Sequence, residues 1–476
     1  MSNGSFLEII AQGAWNGGTT VDNTVFEKAG MTFKGGIPVN NQTIEERIGI
    51  RTRIAAPSDV RIGQLALQDL LDQSSFDPSR IKLLIGAKNV GDDKYEHGPQ
   101  IKHPYEQIRR LSSNVEAFDL YAGCPGFNVS VELVYMLSLG GVLQPGDISV
   151  IIGAENIHRA EAFKAGDTAG IIFGDDAIAS ALETTAERTP EGTYTRTKSE
   201  HVAPPQDNFL DDIAKKILEL NNSGPLDGII IDNQLGKIEY RVPATAARIQ
   251  HRLVELMHPE QARAGEFNHF GKALKIYDQH VNCFAFDIMT MAREASLVEQ
   301  IAKAYVASGK YRTIVSVYID PVDGAQIVIH RGEGYPFIKP SSGVIDTITR
   351  THGCYADFIE AVFDEDDVFG AMNGKGVFLY ATRGAPKQFD ALLSANSLTI
   401  DDVDLLIEHQ ANFAMIPMTL EKVLADYPGE TPEIVRTMIA DKMVTNIHLR
   451  GNCSGVCMQR LPYDLPRGAL MVAGSD

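Results

Sequence analysis

Three short stretches of the sequence hold side chains that could together carry out thioester chemistry. They read AGCPGF at residues 122–127, EHQANF at 408–413 and RGNCSG at 450–455. Cys124 is expected at the N-terminus of an apolar helix, where the positive end of the helix dipole favours the thiolate. A thiolate in that position could take up an acyl group from a thioester. Taken alone, however, the stretch fits an inert core cysteine better, because free cysteines are usually buried.

His409 and Asn452 are the candidate partners of Cys124. His409 follows the apolar run VDLLI after a single residue, Glu408, and Asn452 lies on a glycine-containing bend before a predicted helix. Ligands bind at the C-terminal edges of strands in parallel α/β sheets, so the three side chains could meet at one edge. Two neutral donors there could stabilise the enolate oxygen that remains when a malonyl-type thioester loses CO₂. Singly, His409 also fits a strand-end histidine, and Asn452 fits a turn residue.

Strands and helices alternate along the chain and must position these residues. Predicted strands cover residues 6–15, 80–87, 115–120, 147–154, 226–231, 282–287, 311–319, 403–407, 443–445 and 468–473. Residues 168–179 are predicted as a strand, a turn and the start of another strand, and a long helix is predicted over 289–308. This alternation predicts βαβ units with mostly parallel pairing.

The same order of strands and helices recurs three times. The tripeptide AFD ends five residues before Cys124 and recurs at 285–287, where Ala292 stands at the equivalent position. Asn452 lies at the corresponding bend of the last repeat. We therefore predict three domains: an N-terminal half over 1–186 carrying Cys124, an insertion over 187–372 that is partly a degenerate half, and a C-terminal half over 373–476 carrying His409 and Asn452.

Charge and composition exclude several functional classes. The chain has 43 Lys and Arg against 62 Asp and Glu, a formal net charge of −19, which argues against nucleic acid as a partner. We find no Walker A motif and no G-x-G-x-x-G after a predicted strand, and the CxxxC of Cys453 and Cys457 lacks zinc-site spacing. We therefore expect neither a nucleotide cofactor nor a metal.

Several features predict a cytoplasmic protein. Five cysteines without framework spacing are typical of a reducing compartment. The sequence holds no apolar run long enough for a transmembrane span, and its N-terminus lacks the basic start and apolar core of a signal peptide.

The sequence resembles the β-ketoacyl-acyl-carrier-protein synthase III branch of the thiolase-like condensing enzymes. The matching stretches are IGIRTRIAAPSD at 48–59, AFDLYAGCPGF at 117–127, GAEN at 153–156, AGIIFGDDAIA at 169–179, LLIEHQAN at 405–412 and GNCSG at 451–455. The resemblance implies an α/β thiolase-like fold, with pseudo-duplicated βαβ halves and mixed five-stranded sheets. Here an extra, degenerate half would be inserted between the two.

The resemblance also implies roles for individual residues. Cys124 would be the nucleophile, and His409 and Asn452 would assist decarboxylation and condensation. Arg47, His103 and Phe127 are expected to bind substrate or carrier. Acyl-coenzyme A or acyl-carrier-protein thioesters would be the substrates, with no cofactor, and the protein would be a homodimer paired through the first half.

Four departures from the family pattern limit this transfer. Thr43 replaces a tryptophan that resembles a nucleotide-stacking platform, and His103 replaces an aromatic residue of the acyl pocket. Ala414 and Leu379 replace basic residues that normally help to dock an acidic carrier protein. The family also continues into a glycine-rich loop that supplies an oxyanion-hole N–H. Either the oxyanion hole is completed in another way, or a C-terminal continuation or a partner subunit supplies that donor.

Three hypotheses follow from these patterns. The first is a ketosynthase that condenses a Cys124-bound acyl group with a malonyl- or β-ketoacyl-type thioester in specialised lipid or polyketide metabolism. The second is an acyltransferase on the same fold, which would pass the acyl group to a hydroxyl or an amine. The third is a non-catalytic subunit of a heteromeric ketosynthase complex. The insertion over 187–372 is expected to be structural, or alternatively a platform for a second carrier or substrate.

Overall fold

The computed structural model describes residues 6–57, 59–90, 99–112, 114–158, 163, 167–235, 243–291, 295–364, 367–424 and 432–465. Two predicted features, Ala292 and the strand at 468–473, lie outside the described residues. Among the helices that are described, none is long and apolar enough to cross a membrane.

The chain alternates strands and helices through its first three quarters and is helical after that. The strands are β1 Leu7–Ala14, β2 Thr19–Asp22, β3 Thr32–Phe33, β4 Ile37–Pro38, β5 Thr52–Ala55, β6 Ile81–Ala87, β7 Glu116–Tyr121, β8 Ile148–Glu155, β9 Asp176–Thr184, β10 Thr193–Arg196, β11 Glu200–Val202, β12 Gly228–Asn233, β13 Phe284–Thr290, β14 Thr313–Asp320, β15 Gly324–Glu333, β16 Ile359–Asp364 and β17 Asp367–Met372. The helices are α1 Thr24–Lys28, α2 Asn41–Ile48, α3 Ile62–Gln73, α4 Lys102–Ile108, α5 Gly126–Leu139, α6 Phe209–Leu220, α7 Thr245–Met257, α8 Pro259–Arg263, α9 Phe270–His280, α10 Ser296–Ala307, α11 Gly374–Ala395, α12 Met415–Val423, α13 Pro432–Lys442, α14 Ile447–Arg450 and α15 Cys457–Asp464.

A mixed eleven-stranded sheet organises the molecule. Its order is β1-β9-β8-β6-β7-β13-β12-β14-β15-β10, and β11 also pairs with β15. Within it, β6 runs parallel to β7 and β8, and β12 runs parallel to β13 and β14. The sheet thus contains the same order twice: a first unit of β7-β6-β8-β9-β1 and a middle unit of β13-β12-β14-β15-β10. The two units meet where β7 pairs antiparallel with β13, and the predicted thiolase-like α/β fold class is confirmed.

Helices cover both faces of this sheet, which explains the near-continuous apolar runs of its strands. On one face, α5 and α10 pack into a common core with residues such as Leu83 and Ile85 of β6. On the opposite face, Leu84 of β6 packs with α3, while α6 and α7 cover the middle unit. Alternate residues of a strand point to opposite faces, so β6 must be apolar at successive positions.

Four predicted elements differ from the structure. Residues 168–172 form a 3₁₀ turn instead of a strand, and β13 runs to Thr290, so the next helix begins only at Ser296. The strands predicted at 403–407 and 443–445 are wrong, because those residues form one isolated bridge between Leu406 and Met443. A strand is stabilised by a ladder of hydrogen bonds to a neighbour, and a single bridge does not provide one. The predicted domain boundaries stay a prediction.

Candidate active site

Cys124 lies in the turn between β7 and α5. Gly123 adopts a left-handed φ of 68°, and the amide of Gly126 donates to the Gly123 carbonyl at 3.0 Å, which closes the turn. The left-handed conformation favours glycine because a side chain is strained there. Cys124 is half-buried, and Gly123 and Pro125 on either side of it are exposed, so the thiol lies at an open end of the strand.

Asn452 is held against the first unit by its own backbone. Its amide donates to the Ile172 carbonyl at 2.7 Å, and its carbonyl accepts from the amide of Gly174 at 3.1 Å. A side chain at Gly174 would put its Cβ only 2.2 Å from the Arg450 carbonyl oxygen, so only glycine permits this approach. The Asn452 Oδ1 accepts from the Ser454 amide at 2.8 Å. These contacts fix the oxygen of the side-chain amide.

The bend after Asn452 then brings Ser454 to the thiol. The Ser454 hydroxyl lies 3.6 Å from the Cys124 sulfur. Gly455 follows, and a Cβ there would sit 3.2 Å from the Cys124 carbonyl oxygen, so a larger residue would push the bend away. The stretch around Cys124 and the stretch around Asn452 are therefore in direct contact, as the sequence predicts.

His409 lies in the loop that follows the bridge at Leu406, and Gln410 fixes this loop. The Gln410 Nε2 donates to the Val444 carbonyl at 2.6 Å, while its Oε1 accepts from the amides of Asn446 and Ile447 at 3.1 and 3.2 Å. Both imidazole nitrogens of His409 are buried, and neither has a nitrogen or oxygen partner among the described residues; the groups that act on the imidazole are the sulfurs of Cys124 and Cys457. Because no oxygen or nitrogen atom of the described residues takes up its hydrogen-bonding capacity, the imidazole is suited to meet a polar ligand.

The electrostatics of the site favour a thiolate at Cys124. Burial raises the pKa of the Cys124 thiol, but the neighbouring His409 imidazole and the Ser454 hydroxyl outweigh it, and the pKa lies below its usual value. Burial lowers the pKa of His409, but the sulfurs of Cys124 and Cys457 outweigh burial and raise it well above the usual value. We expected a neutral His409, whereas these directions favour a thiolate–imidazolium pair in the free site.

A hydrogen-bonded chain that the sequence analysis did not identify leads from a buried carboxyl group to Cys124. Glu155, the last residue of β8, accepts from the amide and the side chain of Asn89 at 2.7 and 2.8 Å and from the Val90 amide at 3.1 Å. The Asn89 side chain also donates to the Ser454 hydroxyl at 2.8 Å. Burial raises the pKa of Glu155 to about 7. In the sequence, Glu155 lies within the matching stretch GAEN, whereas the signal for Asn89 was only its position after a predicted strand.

A second thiol lies beside His409. The Cys457 sulfur accepts from the Cys453 amide at 3.2 Å and lies 3.8 Å from the Asn452 Oδ1. The Cys453 thiol and His409 lower the pKa of Cys457. Among the described residues, no group of His, Cys, Asp and Glu side chains is arranged to hold a metal ion.

The predicted binding residues lie on three different elements. Arg47 is exposed in the last turn of α2, with its guanidinium 5.8 Å from the centre of the Phe33 ring. Phe127 is buried in α5 within the core, and His103 is half-buried in α4. Their binding roles stay predictions.

Two of the residues that depart from the family pattern, Thr43 and Leu379, have local structural roles. Thr43 forms a capping box with Asn40 at the start of α2, through hydrogen bonds of 2.9 and 3.0 Å. Leu379 lines a cavity of about 410 Å³ beside Phe358 and Tyr355.

Comparisons with known proteins show what the chain is similar to. No family model matches the chain. It is 24% identical over 277 residues to a β-ketoacyl-[acyl-carrier-protein] synthase III of Bacteroides thetaiotaomicron, which covers 53% of this chain and 71% of that protein. It is 28% identical over 187 residues to the synthase III of Escherichia coli K12, covering 36% and 55% of the two chains. This chain therefore spans about half the length of most of the curated relatives that it matches.

The fold agrees with that of a solved protein. A crystal structure of a 3-oxoacyl-(acyl-carrier-protein) synthase III aligns with 98% of this chain and 93% of its own, with a TM-score of 0.50 and 12% identity. The chain is thus similar in sequence to β-ketoacyl-[acyl-carrier-protein] synthases III, and it shares the fold of a solved 3-oxoacyl-(acyl-carrier-protein) synthase III.

Proposed function

We propose that the protein is a condensing enzyme that forms a carbon–carbon bond from two thioesters by decarboxylative Claisen condensation. The observation that carries the proposal is the meeting of Cys124 with the bend at Asn452 and Ser454, beside a buried imidazole at His409. Cys124, His409 and Asn452 are the proposed catalytic residues.

In the first half-reaction, the Cys124 thiolate attacks the carbonyl of an acyl thioester. A carbon–sulfur bond forms to Cys124, and the bond to the carrier sulfur breaks. The departing carrier thiolate takes the proton from the His409 imidazolium, so the carrier leaves as a thiol. Loss of the Cys124 negative charge also removes one of the interactions that raise the pKa of His409. The acyl-enzyme therefore favours the neutral imidazole that the second half-reaction requires.

In the second half-reaction, a malonyl thioester loses CO₂, and the electron pair of the broken bond passes into an enolate. The imidazole of His409 and the Nδ2 amide group of Asn452 donate hydrogen bonds to its oxygen, which stabilises the developing charge. The enolate carbon attacks the acyl carbonyl and expels the Cys124 thiolate. The product is a β-ketoacyl thioester, and His409 takes up one proton from solvent, which restores the thiolate–imidazolium pair of the free site. A β-ketoacyl-type donor would form its enolate without loss of CO₂, by giving its α-proton to the neutral imidazole of His409.

The substrates and partners belong to the same proposal. Acyl-carrier-protein or coenzyme A thioesters would supply both acyl groups, in the cytoplasm and without a further cofactor. A homodimer, and a partner subunit or continuation that completes the oxyanion hole, stay predictions. The support for these statements comes from the relatives' names and the chemistry of the site.

Intact-protein mass spectrometry tests the proposal in two steps. Incubation with acetyl- to dodecanoyl-coenzyme A should add one acyl mass, which peptide mapping places on Cys124. Subsequent addition of malonyl-coenzyme A or malonyl carrier protein should remove it and yield a β-ketoacyl thioester with release of CO₂. An adduct that is transferred only to an alcohol or amine would select the acyltransferase. A chain that takes up no acyl group would contradict both enzymatic hypotheses and favour a non-catalytic subunit.

A further inference from the structure

The pairing of β7 with β13 is symmetric between the two strands. The central paired residues are Tyr121 with Asp287, Leu120 with Ile288 and Asp119 with Met289, and Phe118 pairs with Thr290 beyond them. The AFD tripeptides make Asp119 equivalent to Asp287, so exchanging the two strands leaves the register unchanged. Such a contact, in which each side uses the same residues, is the signature of a two-fold interface between identical subunits. Here both sides belong to one chain.

The surroundings of the two strands repeat this symmetry. The Asp119 carboxylate accepts from the amides of Gln100 and Ile101 at 2.6 and 3.1 Å, at the start of α4. The Asp287 carboxylate accepts from the amides of Thr245 and Ala246, both at 2.8 Å, at the start of α7. Each aspartate therefore ties the end of its strand to the N-terminus of the equivalent helix.

The two units are also joined on the face where α5 packs against α10. Leu120 and Ile288, the central pair of the seam, are both fully buried. Glu132 of α5 is buried and accepts hydrogen bonds from Tyr311 and from Thr349, which lie in and beyond the middle unit. An apolar seam with a satisfied buried carboxylate resembles the interior of one folded domain, not a surface between separable parts.

We propose that the middle unit, residues 193–333, serves as a built-in second subunit for the first unit. Strand β13 occupies the edge of β7 that a second copy of this chain would otherwise use, so two chains do not pair through β7. The strand that leads into Cys124 is therefore supported within the chain at every protein concentration. An exposed edge of this length would in addition be a template for unwanted association.

Hydrogen exchange measured together with sedimentation velocity tests the proposal. Over a wide range of protein concentration, the peptide that covers β7 should stay protected to the same extent. A chain that does not associate through any other surface should sediment with the mass of one chain, 52.0 kDa. Association through another surface would leave the protection of β7 independent of concentration and would still support the proposal. Rapid exchange in β7, or protection that falls as the protein is diluted and dimers dissociate, would overturn it.

A double-mutant cycle provides a second test that does not depend on the catalytic site. Leu120→Ala and Ile288→Ala should each lower the Tm, and the double variant should lose roughly 1–3 °C less than the sum, because the two residues share a contact. Ile217, which is buried in α6 within a different core, provides the control. Leu120→Ala and Ile217→Ala should be additive. If Leu120 instead faced a second copy of itself, Leu120→Ala and Ile288→Ala would be additive as well, and the inference would fail.

Discussion

In the first unit, polar residues at the strand ends contact the bend at Ser454, whereas the equivalent residues of the middle unit make hydrogen bonds within that unit. Register makes Glu155 equivalent to Asp320 and Asn89 equivalent to Gln234. Asp320 accepts from the amides of Val322 and Asp323 at 2.7 and 3.0 Å and so closes the turn between β14 and β15.

Gln234 likewise binds within its own unit. Its side chain donates to Asp232 at 2.7 Å and to the Thr290 hydroxyl at 3.1 Å. One scaffold thus carries two sets of strand ends, of which a single set meets the C-terminal bend. The duplicated sheet therefore places polar side chains at equivalent strand ends in both units. Contact with the C-terminal bend at Ser454 makes those of the first unit part of the candidate site.

The largest expected effect is the loss of acylation when Cys124 is replaced, compared with the replacement of Cys354, a cysteine near the middle unit. Cys124→Ala should reduce acylation by at least about 10³-fold, because the nucleophile is removed. Burial raises the pKa of Cys354 to about 12, so that thiol is unreactive near neutral pH. Cys354→Ala should therefore leave acylation unchanged. The measurement is the rate of mass increase with an acyl-coenzyme A, and persistent acylation of the Cys124→Ala variant would refute the assignment.

The next effect concerns the electrostatic origin of the Cys124 thiolate. His409→Ala removes a group that lowers the pKa of Cys124, so that pKa should rise towards the value of a buried thiol. Each unit of rise lowers the thiolate fraction near neutral pH about tenfold. The rate of alkylation by iodoacetamide, measured against pH, should shift to higher pH and recover in alkaline solution. A rate profile that coincides with that of the unsubstituted protein would show that His409 does not act on the thiol.

A smaller effect is expected from the hydrogen-bonded chain behind Ser454. Glu155→Gln replaces a carboxylate that accepts three hydrogen bonds, and Asn89 should then hold the Ser454 hydroxyl less firmly. Loss of a supporting partner of this kind typically costs on the order of tenfold in activity. Asp320→Asn changes the equivalent position of the middle unit and should not alter the pH profile of Cys124 alkylation. Equal effects of the two substitutions would indicate a loss of sheet stability and no link to Cys124.

The sequence was sufficient to predict the strands of both sheet units. Runs such as LLIG in β6 and IIID in β12 are long, apolar and bounded by turn residues, and these strands lie between two layers of helices. The run VDLLI before His409 has the same composition but forms only one bridge, because nothing in the run states whether a neighbouring strand exists. Composition predicts the tendency to extend, and the pairing depends on distant residues.

The candidate site was also predictable only in part. Cys124, His409 and Asn452 could be selected because their residue types and flanking glycines indicate chemistry. Asn89 and Glu155 could not, because an asparagine and a glutamate at strand ends are common. Their significance depends on the contact of Asn89 with Ser454, which joins residues 365 positions apart in the chain.

The smallest expected effect is a change in the pH dependence of stability, and it concerns the equivalent residues Asp119 and Asp287. Register makes Lys88, which lies 3.2 Å from Asp119, equivalent to Asn233, whose side chain donates to Asp287 at 3.2 Å. Burial raises the pKa of Asp287 to about 7, so its native state holds the proton more tightly than the unfolded chain does. Stability is therefore lost as the pH rises from about 4 through 7.

Asn233→Lys should supply the missing positive charge and lower the pKa of Asp287. Above pH 7, each unit of decrease should add about 1.4 kcal/mol to the free energy of unfolding. Thermal unfolding measured from pH 4 to 9 should show a flatter pH dependence in this variant, and an unchanged slope would mean that the new lysine does not pair with Asp287.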